Sequence, residues 1–499
     1  MRADSASAAS AGADSSPQQA WSLKWALILV AIVLPAELGS FMPQAIGTSL
    51  TSVAEHFHTA NVGWVSTLGL LFGGLFAPLI GKAADMYGKK RLILIMTALT
   101  VAGGVVSATA PNYGLFLLGR SLSSFIGPVV FLAYSLVRDV FPRRLLVVAI
   151  SLTGTGIGVT TIVTPLLTGW LIDSFGYSGL YWFFGLYPLL AGLLFLAVVP
   201  ESHAMVAARL GYVSAAWLGL GIGGVLVGIS EGAGWGWTAG STLACLAAGV
   251  AFIGLWVAWD LKSSRPLVDI RLFGSRRVLT TAFAAALIYS AMTGNALALP
   301  IMVMVPRILG VGYGFGVSTL GVSTYLVPVG VATVIFGFVA GRLAPRIGVR
   351  LPFLLGGLFI GAGLALSAGY HAYPWQLILF NCLIGVGEGL SLSAIPNLVV
   401  GAVPPEKQGA MASMVTVPQT IFTSVASQVY FVILGQHIGK VVGGNVIYAN
   451  QGFVIVFLLA GAISVASICV GLAIPHGRPR HLQESHATEQ PLGAGAVTP

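Results

Sequence analysis

GKAADMYGKKR, residues 81–91, returns 260 positions later as GRLAPRIGVR at residues 341–350, and this repeat organises the chain. A second echo keeps nearly the same offset, with FPRR at 141–144 answered by VPPEK at 403–407. Each copy of the first motif follows an apolar run and brings glycine for a tight turn and basic residues. Gly81 and Gly88 are expected to permit the turn between two antiparallel helices. Asp85 is placed to cap a helix or pair with arginine, while Lys89, Lys90 and Arg91 hold the loop on one side of a membrane.

The membrane itself follows from composition. Charged residues make up 8% of the 499 positions, where a soluble domain carries about 25%. That is too little charge to cover a water-facing surface. Apolar residues reach 56%, and they gather in runs of about 20, the length of helix that crosses some 30 Å of hydrocarbon. Runs near 25–46, 63–80, 92–110, 114–136, 145–167, 179–199 and 211–229 are followed by 239–259, 278–300, 316–340, 351–369, 375–399, 411–434 and 452–474. The expectation is an all-α polytopic membrane protein of about fourteen spans. Only SEGAGWGWT separates 211–229 from 239–259, so twelve or thirteen spans are the alternatives.

A net charge of +9 suggests nucleic acid in a soluble protein, but its distribution points to the bilayer and excludes that partner. Of the 24 Lys and Arg residues, the even-numbered loops hold seventeen and the two tails four, whereas the odd-numbered loops hold only Arg307 and Lys440. Basic residues collect in cytoplasmic loops, which puts both termini in the cytoplasm and supports an even number of spans. Residues 1–20 are Ala/Ser-rich with no apolar core and read as a disordered tail.

The repeat then divides the chain. A tail at 1–22 precedes a six-helix bundle at 23–200; two inserted helices and a linker fill 201–277; a second six-helix bundle occupies 278–475, and a tail follows at 476–499. Two pseudo-symmetric six-helix bundles with a site between them near the midplane is a transporter plan.

Three ionisable residues sit inside the expected spans: Glu37, Arg120 and Glu388. Such groups are costly in hydrocarbon unless they face a cavity or a partner, which marks them as functional candidates. One carboxylate from each half lies near the midplane. A carboxyl group that alternates between apolar surroundings and a nearby cation can take up and release a proton. The alternative is a neutral acid hydrogen-bonded within a helix interface. Arg120 offers five donors to a carboxylate or an anionic ligand, in a structural pair or in coupling, and helical rise allows a direct or water-bridged contact with Glu37. Gly385, Gly387 and Gly389 leave the helix face around Glu388 open to a ligand or a neighbouring backbone. Run 145–167 contains Gly154, Gly156 and Gly158 and leads into TPLLTG at 164–169, small residues with a bend at Pro165.

Other chemistry finds no support. Cys245, Cys382 and Cys469 are far apart within apolar runs, and His56-x-His58 is too little for a metal site. No metalloprotease, phosphate-loop or nucleophile-elbow pattern occurs in a suitable setting, which argues against an enzyme and against ATP-driven transport by this chain alone.

The 81–91 loop with its degenerate second copy, Arg120 and the Gly/Pro-rich fifth span together resemble the major facilitator superfamily. The span count, SEGAGWGW at 230–237 and RPLVDIRLF at 265–273 are similar to its drug:proton antiporter branch, which carries two extra central helices. The resemblance implies alternating access, an inner-gate role for Gly81, Asp85, Gly88, Lys89 and Lys90, proton coupling at Arg120, and an antiporter-type helix at Gly158, Pro165 and Gly169. The sequence departs from the pattern at Ser123-Ser124, at Pro345 in the second loop, and at LGSFMPQAI after Glu37.

The expected function is therefore proton-coupled efflux of amphipathic organic compounds or drugs, by a monomer embedded in lipid in the cytoplasmic membrane. No cofactor is expected besides the coupling proton. Alternatives are an importer or facilitator of an organic anion or metabolite, with Arg120 as carboxylate ligand, and a lipid-translocating or signalling relative.

Overall fold

A computed structural model describes residues 22–59, 61–201, 211–263, 266, 270–402, 408–442 and 445–474. Residues 1–21 and 476–499 of the two expected tails lie outside that range, as do Arg209, Arg265 and Lys407 of the basic loops.

Hydrocarbon offers backbone N–H and C=O groups no partner, so apolar runs of this kind close their hydrogen bonds within helices. The first group comprises α1 (Leu23–Phe57), α2 (Gly63–Leu75), α3 (Ala77–Tyr87), α4 (Lys89–Ala108), α5 (Tyr113–Ser123), α6 (Val129–Val140) and α7 (Arg143–Val198). Next come α8 (Tyr212–Trp235) and α9 (Gly240–Lys262), which pack mainly on each other, with α8 also touching α2 and α14 (Gln408–Gln436). The second group is α10 (Arg276–Met304), α11 (Ser323–Ile347), α12 (Arg350–Gly369), α13 (Pro374–Ala402), α14 and α15 (Asn450–Leu472). A two-stranded antiparallel sheet, β1 (Ile438–Val442) and β2 (Asn445–Tyr448), departs from the all-helical expectation.

Among the described residues twelve helices are long and apolar enough to cross a membrane, so that measure does not reach the expected fourteen. The difference lies in two places. The run at 63–80 is split at Phe76 into α2 and α3, each short. The runs at 145–167 and 179–199 form one 56-residue helix interrupted at Gly176, where φ is +68°. Both ends of α7 lie near the same loop. Asp139, just before α7, pairs with Lys89 at 2.6 Å, and Glu201, just after it, accepts from Lys90 N at 3.0 Å. The chain therefore doubles back near Gly176.

The repeat seen in the sequence is also a repeat of backbone conformation. Gly88 has φ +97° between α3 and α4, and Gly348, 260 residues later, has φ +77° between α11 and α12. Such values favour glycine. A Cβ at Gly88 would also come within 2.9 Å of the Glu201 carboxyl group. Gly81, by contrast, lies inside α3, so the expected two-glycine turn is made by Gly88 alone.

The basic loops gather at one end of the bundle, here called the basic end. Beside that end Lys82 donates to the Pro266 carbonyl; burial holds its ammonium below the usual lysine range, while nearby Asp260 opposes the shift. The two exceptions to the charge pattern, Arg307 and Lys440, have structural work at the far end. Arg307 donates to the Gly314 and Ala372 carbonyls and lies over the Phe315 ring; Lys440 donates to the Leu309 carbonyl at 2.6 Å.

Candidate functional site

Glu37 sits in α1 between Pro35 and Pro43, fourteen residues from the helix start at Leu23. Glu388 sits in α13, fourteen residues before its end at Ala402. At about 1.5 Å of rise per residue, each carboxyl group is about 21 Å along its helix from the basic end. Acids from different helix groups thus lie at similar distances along their helices, and both are half-buried.

Each is held by a threonine. Thr160 of α7 donates to Glu37 Oε2, while Oε1 is buried with no hydrogen-bond partner among the described residues. Thr333 of α11 lies 3.4 Å from Glu388 Oε2 and 3.2 Å from the Gly385 carbonyl. Tyr134 and Tyr187 are the phenols in electrostatic reach of Glu37, and Tyr289 is in reach of Glu388.

The glycines around Glu388 admit neighbouring backbones. Added Cβ atoms at Gly385 and Gly389 would lie 2.4 Å from the Val329 and Thr333 carbonyl oxygens of α11; at Gly387 one would lie 2.5 Å from the Gly356 oxygen of α12. Of the two openings considered for this face, these glycines therefore serve helix packing.

Arg120 is 3% exposed in α5. Its Nη1 donates to Ser124 Oγ at 2.8 Å and lies 3.2 Å from Met42 Sδ, and its Nε has no partner among the described residues. A side chain at Gly69 would collide with the guanidinium. Arg120 has no carboxylate partner among the described residues, so the direct contact with Glu37 that helical rise allows is not made in this conformation.

Among the described residues the hydrogen bonds and the ion pair of the 81–91 loop stay within its own helix group, apart from the Lys82 bond to the linker, while α3 also packs on α14. Lys89, 6% exposed, forms the ion pair with Asp139. Lys90 donates from its backbone to Glu201 and from Nζ to the Leu196 carbonyl. Asp85 is exposed in α3 and caps no helix. In the antiporter-type helix, Gly158 lies within α7, whereas Pro165 and Gly169 mark its meeting with the second group. Pro165 has no N–H for the Thr161 carbonyl, and that oxygen would be 3.1 Å from a Cβ at Gly330 of α11. A Cβ at Gly169 would lie 2.4 Å from Leu320 Cα.

Several polar residues that a search for charges passes over join the two groups towards the far end. Asp173 accepts from the backbone N–H groups of Thr319 and Leu320 at 3.0 and 2.9 Å, just before α11. Thr67 donates to Gln428 at 2.9 Å. A Cβ at Gly47 would lie 2.6 Å from the Ala296 oxygen. A cleft of about 520 Å³ opens beside Asp173, lined by Glu55, His56, Tyr177 and Thr319 among others. Gln428, set in an apolar run, was the legible signal; Asp173 at a span end was not. Among the described residues no group of three or more His, Cys, Asp or Glu is placed to hold a metal ion.

The sequence profile of the Major Facilitator Superfamily matches residues 28–427 and 329–497. A "Uridine/deoxyuridine transporter" of Lactococcus lactis subsp. cremoris (strain MG1363) is 26% identical over 400 residues, covering 75% of this chain and 80% of that protein. The "Multidrug resistance protein Stp" of Mycobacterium tuberculosis (strain CDC 1551 / Oshkosh) is 25% identical over 399 residues, 78% of this chain and 71% of that one. Among solved structures, the POT family transporter PepTSo superposes with a TM-score of 0.64 at 14% identity, over 94% of this chain and 99% of that one. The nucleoside transporter NupG superposes with a TM-score of 0.60 at 15% identity, over 91% and 100%. A multi-pass helical bundle with repeated turns and one acid midway along a helix of each group, carried on a chain that the family profile covers almost from end to end, belongs to the major facilitator superfamily.

Proposed function

We propose that the protein is a proton-coupled efflux carrier for amphipathic organic compounds, working by alternating access as a monomer in the cytoplasmic membrane with its basic end inside. The observation that carries this reading is the pair of half-buried carboxyl groups midway along α1 and α13, each held by one threonine hydroxyl. Acids at such depth are costly as fixed charges and suited to loading and unloading protons. The multidrug relative supports the substrate class. On this reading Arg120 tunes the cavity beside Glu37, the loop containing Gly81, Asp85, Gly88, Lys89 and Lys90 gates the inner end, and the helix through Gly158, Pro165 and Gly169 carries the rocking contact.

Proteoliposomes with an imposed pH gradient and a fluorescent amphipathic cation test it. Glu37→Gln or Glu388→Gln should abolish gradient-driven accumulation while sparing binding, because glutamine keeps the size and hydrogen bonding of the acid but carries no proton. Both variants pumping as the wild type would defeat the proposal.

A second reading, carriage of a nucleoside or an organic anion, is favoured by the buried guanidinium of Arg120 without a carboxylate partner among the described residues and by the uridine-transporting relative. Uridine uptake by the same vesicles, lost in Arg120→Lys, would select it.

A further inference from the structure

The two acids are joined by an unbroken series of contacts that crosses from one helix group to the other. Thr160, which holds Glu37, is followed by Thr161, whose carbonyl faces Gly330. One helical turn on from Gly330 is Thr333, which holds Glu388. The threonines therefore flank the place where α7 and α11 cross, and α13 leans on α11 at Gly385 and Gly389 with no side chain between them.

A threonine hydroxyl has one proton and two acceptor lone pairs. Against a carboxylate it can only donate; against a carboxylic acid it either still donates to the carbonyl oxygen or accepts from the acid O–H, and in the second case its own proton must go elsewhere. For Thr333 the second acceptor is in place, since the Gly385 carbonyl lies 3.2 Å from Oγ1. At Glu37 it is the unpartnered Oε1 that is free to take the proton, with Oε2 facing Thr160.

We propose that Thr160 and Thr333 are positioning residues that fasten Glu37 and Glu388 to the α7–α11 crossing, so that protonation of one acid is felt by the other across the two helix groups. The inference rests on the proposed titration of these acids and adds how they are linked. The other ionisable groups facing them are Tyr134 from α6 and Tyr187 from α7 at Glu37, and Tyr289 from α10 at Glu388. Arg120 of α5 is engaged with Ser124 and Met42. The ionisable side chains of α11 and α12 lie away from both acids, Arg342, Arg346 and Arg350 towards the basic end and Tyr325 towards the far end, where it stacks on Phe315.

The test is infrared titration of the carboxyl C=O band in the full chain reconstituted in liposomes, with bands assigned by their loss in Glu37→Gln and Glu388→Gln. Thr160→Val and Thr333→Val keep the branched shape and remove the hydroxyl. Each should displace the midpoint of its own acid by about one pH unit, the worth of one hydrogen bond to a charged group. Thr333→Val should also move the Glu37 midpoint, and Thr333→Ser should restore it. If a valine variant fails to insert, Glu388→Gln serves in its place, because it too must move the Glu37 midpoint. A Glu37 midpoint indifferent to both Thr333→Val and Glu388→Gln overturns the link and leaves the carrier proposal standing. If no band titrates and vanishes in either Gln variant, the link and the proton-coupling proposal both fail.

Discussion

The two ends of the bundle are held by different kinds of contact. At the far end, hydrogen bonds and close backbone approaches run between the helix groups: Asp173 to Thr319 and Leu320, Thr67 to Gln428, Gly47 against Ala296. At the basic end, the corresponding interactions among the described residues stay within a group. Lys89 pairs with Asp139, Lys90 with Glu201, and Arg350 donates to the Gly471 carbonyl. Charges are abundant at the basic end and scarce where these contacts cross between the groups. Closure at the far end uses one carboxylate, backbone N–H groups and glycine, because two backbones meeting closely need small residues and satisfied polar groups.

This contrast can be broken most forcefully at Gly169. Its missing Cβ would stand 2.4 Å from Leu320 Cα, against backbone that cannot swing aside. Gly169→Val should hold the far end apart and lower transport more than about tenfold. Labelling of a cysteine at position 52, beside the cleft, should rise at the same time. Wild-type transport in an inserted variant would show that the α7–α11 approach is not needed.

Asp173→Ala is expected next in size. It removes two charge-assisted hydrogen bonds to backbone N–H groups, so a loss of about 1.4 kcal/mol from the closed far end would change the state ratio tenfold. Position 52 should label faster and expression should be unchanged. Unaltered labelling would reduce Asp173 to a loop acid.

Asp85→Asn should act in the opposite sense at the basic end. Asp85 is exposed here and caps no helix, and on the proposed gate it contributes to the conformation in which the basic end closes. Turnover should fall roughly threefold with slower labelling at position 52. Faster labelling would contradict the proposed gate.

The smallest effect should separate the two copies of the repeated turn. Gly88→Ala meets both a positive φ and the Glu201 carboxyl group, whereas Gly348→Ala meets only the positive φ. Each should cost about 1–2 kcal/mol, read as a lower melting temperature in detergent, with Gly88→Ala the larger. Equal melting temperatures would remove the role given to the Glu201 contact.

Much of this architecture is legible one residue at a time. A membrane helix must be apolar over a fixed length, and Gly88 and Gly348 announce their turns because only glycine enters that backbone region readily. Glu37, Arg120 and Glu388 stand out because charge in hydrocarbon is conspicuous. Their partners do not stand out. Thr160 and Thr333 resemble the many other threonines and serines of the spans, Asp173 reads as an ordinary loop acid, and the break at Phe76 sits inside an unbroken apolar run.

What the sequence determined by itself is therefore what depends on local chemistry: a helical membrane chain, a basic end, a repeat, and three ionisable residues to explain. Tertiary structure decided the pairings. It gave Glu37 to Thr160 instead of Arg120, filled the glycine face beside Glu388 with helix backbone, and placed the contacts between the groups at the far end. The physical reason is that a hydrogen bond of about 3 Å between residues 120 or more positions apart depends on how whole helices lie against one another, and no periodicity or motif within either helix records that.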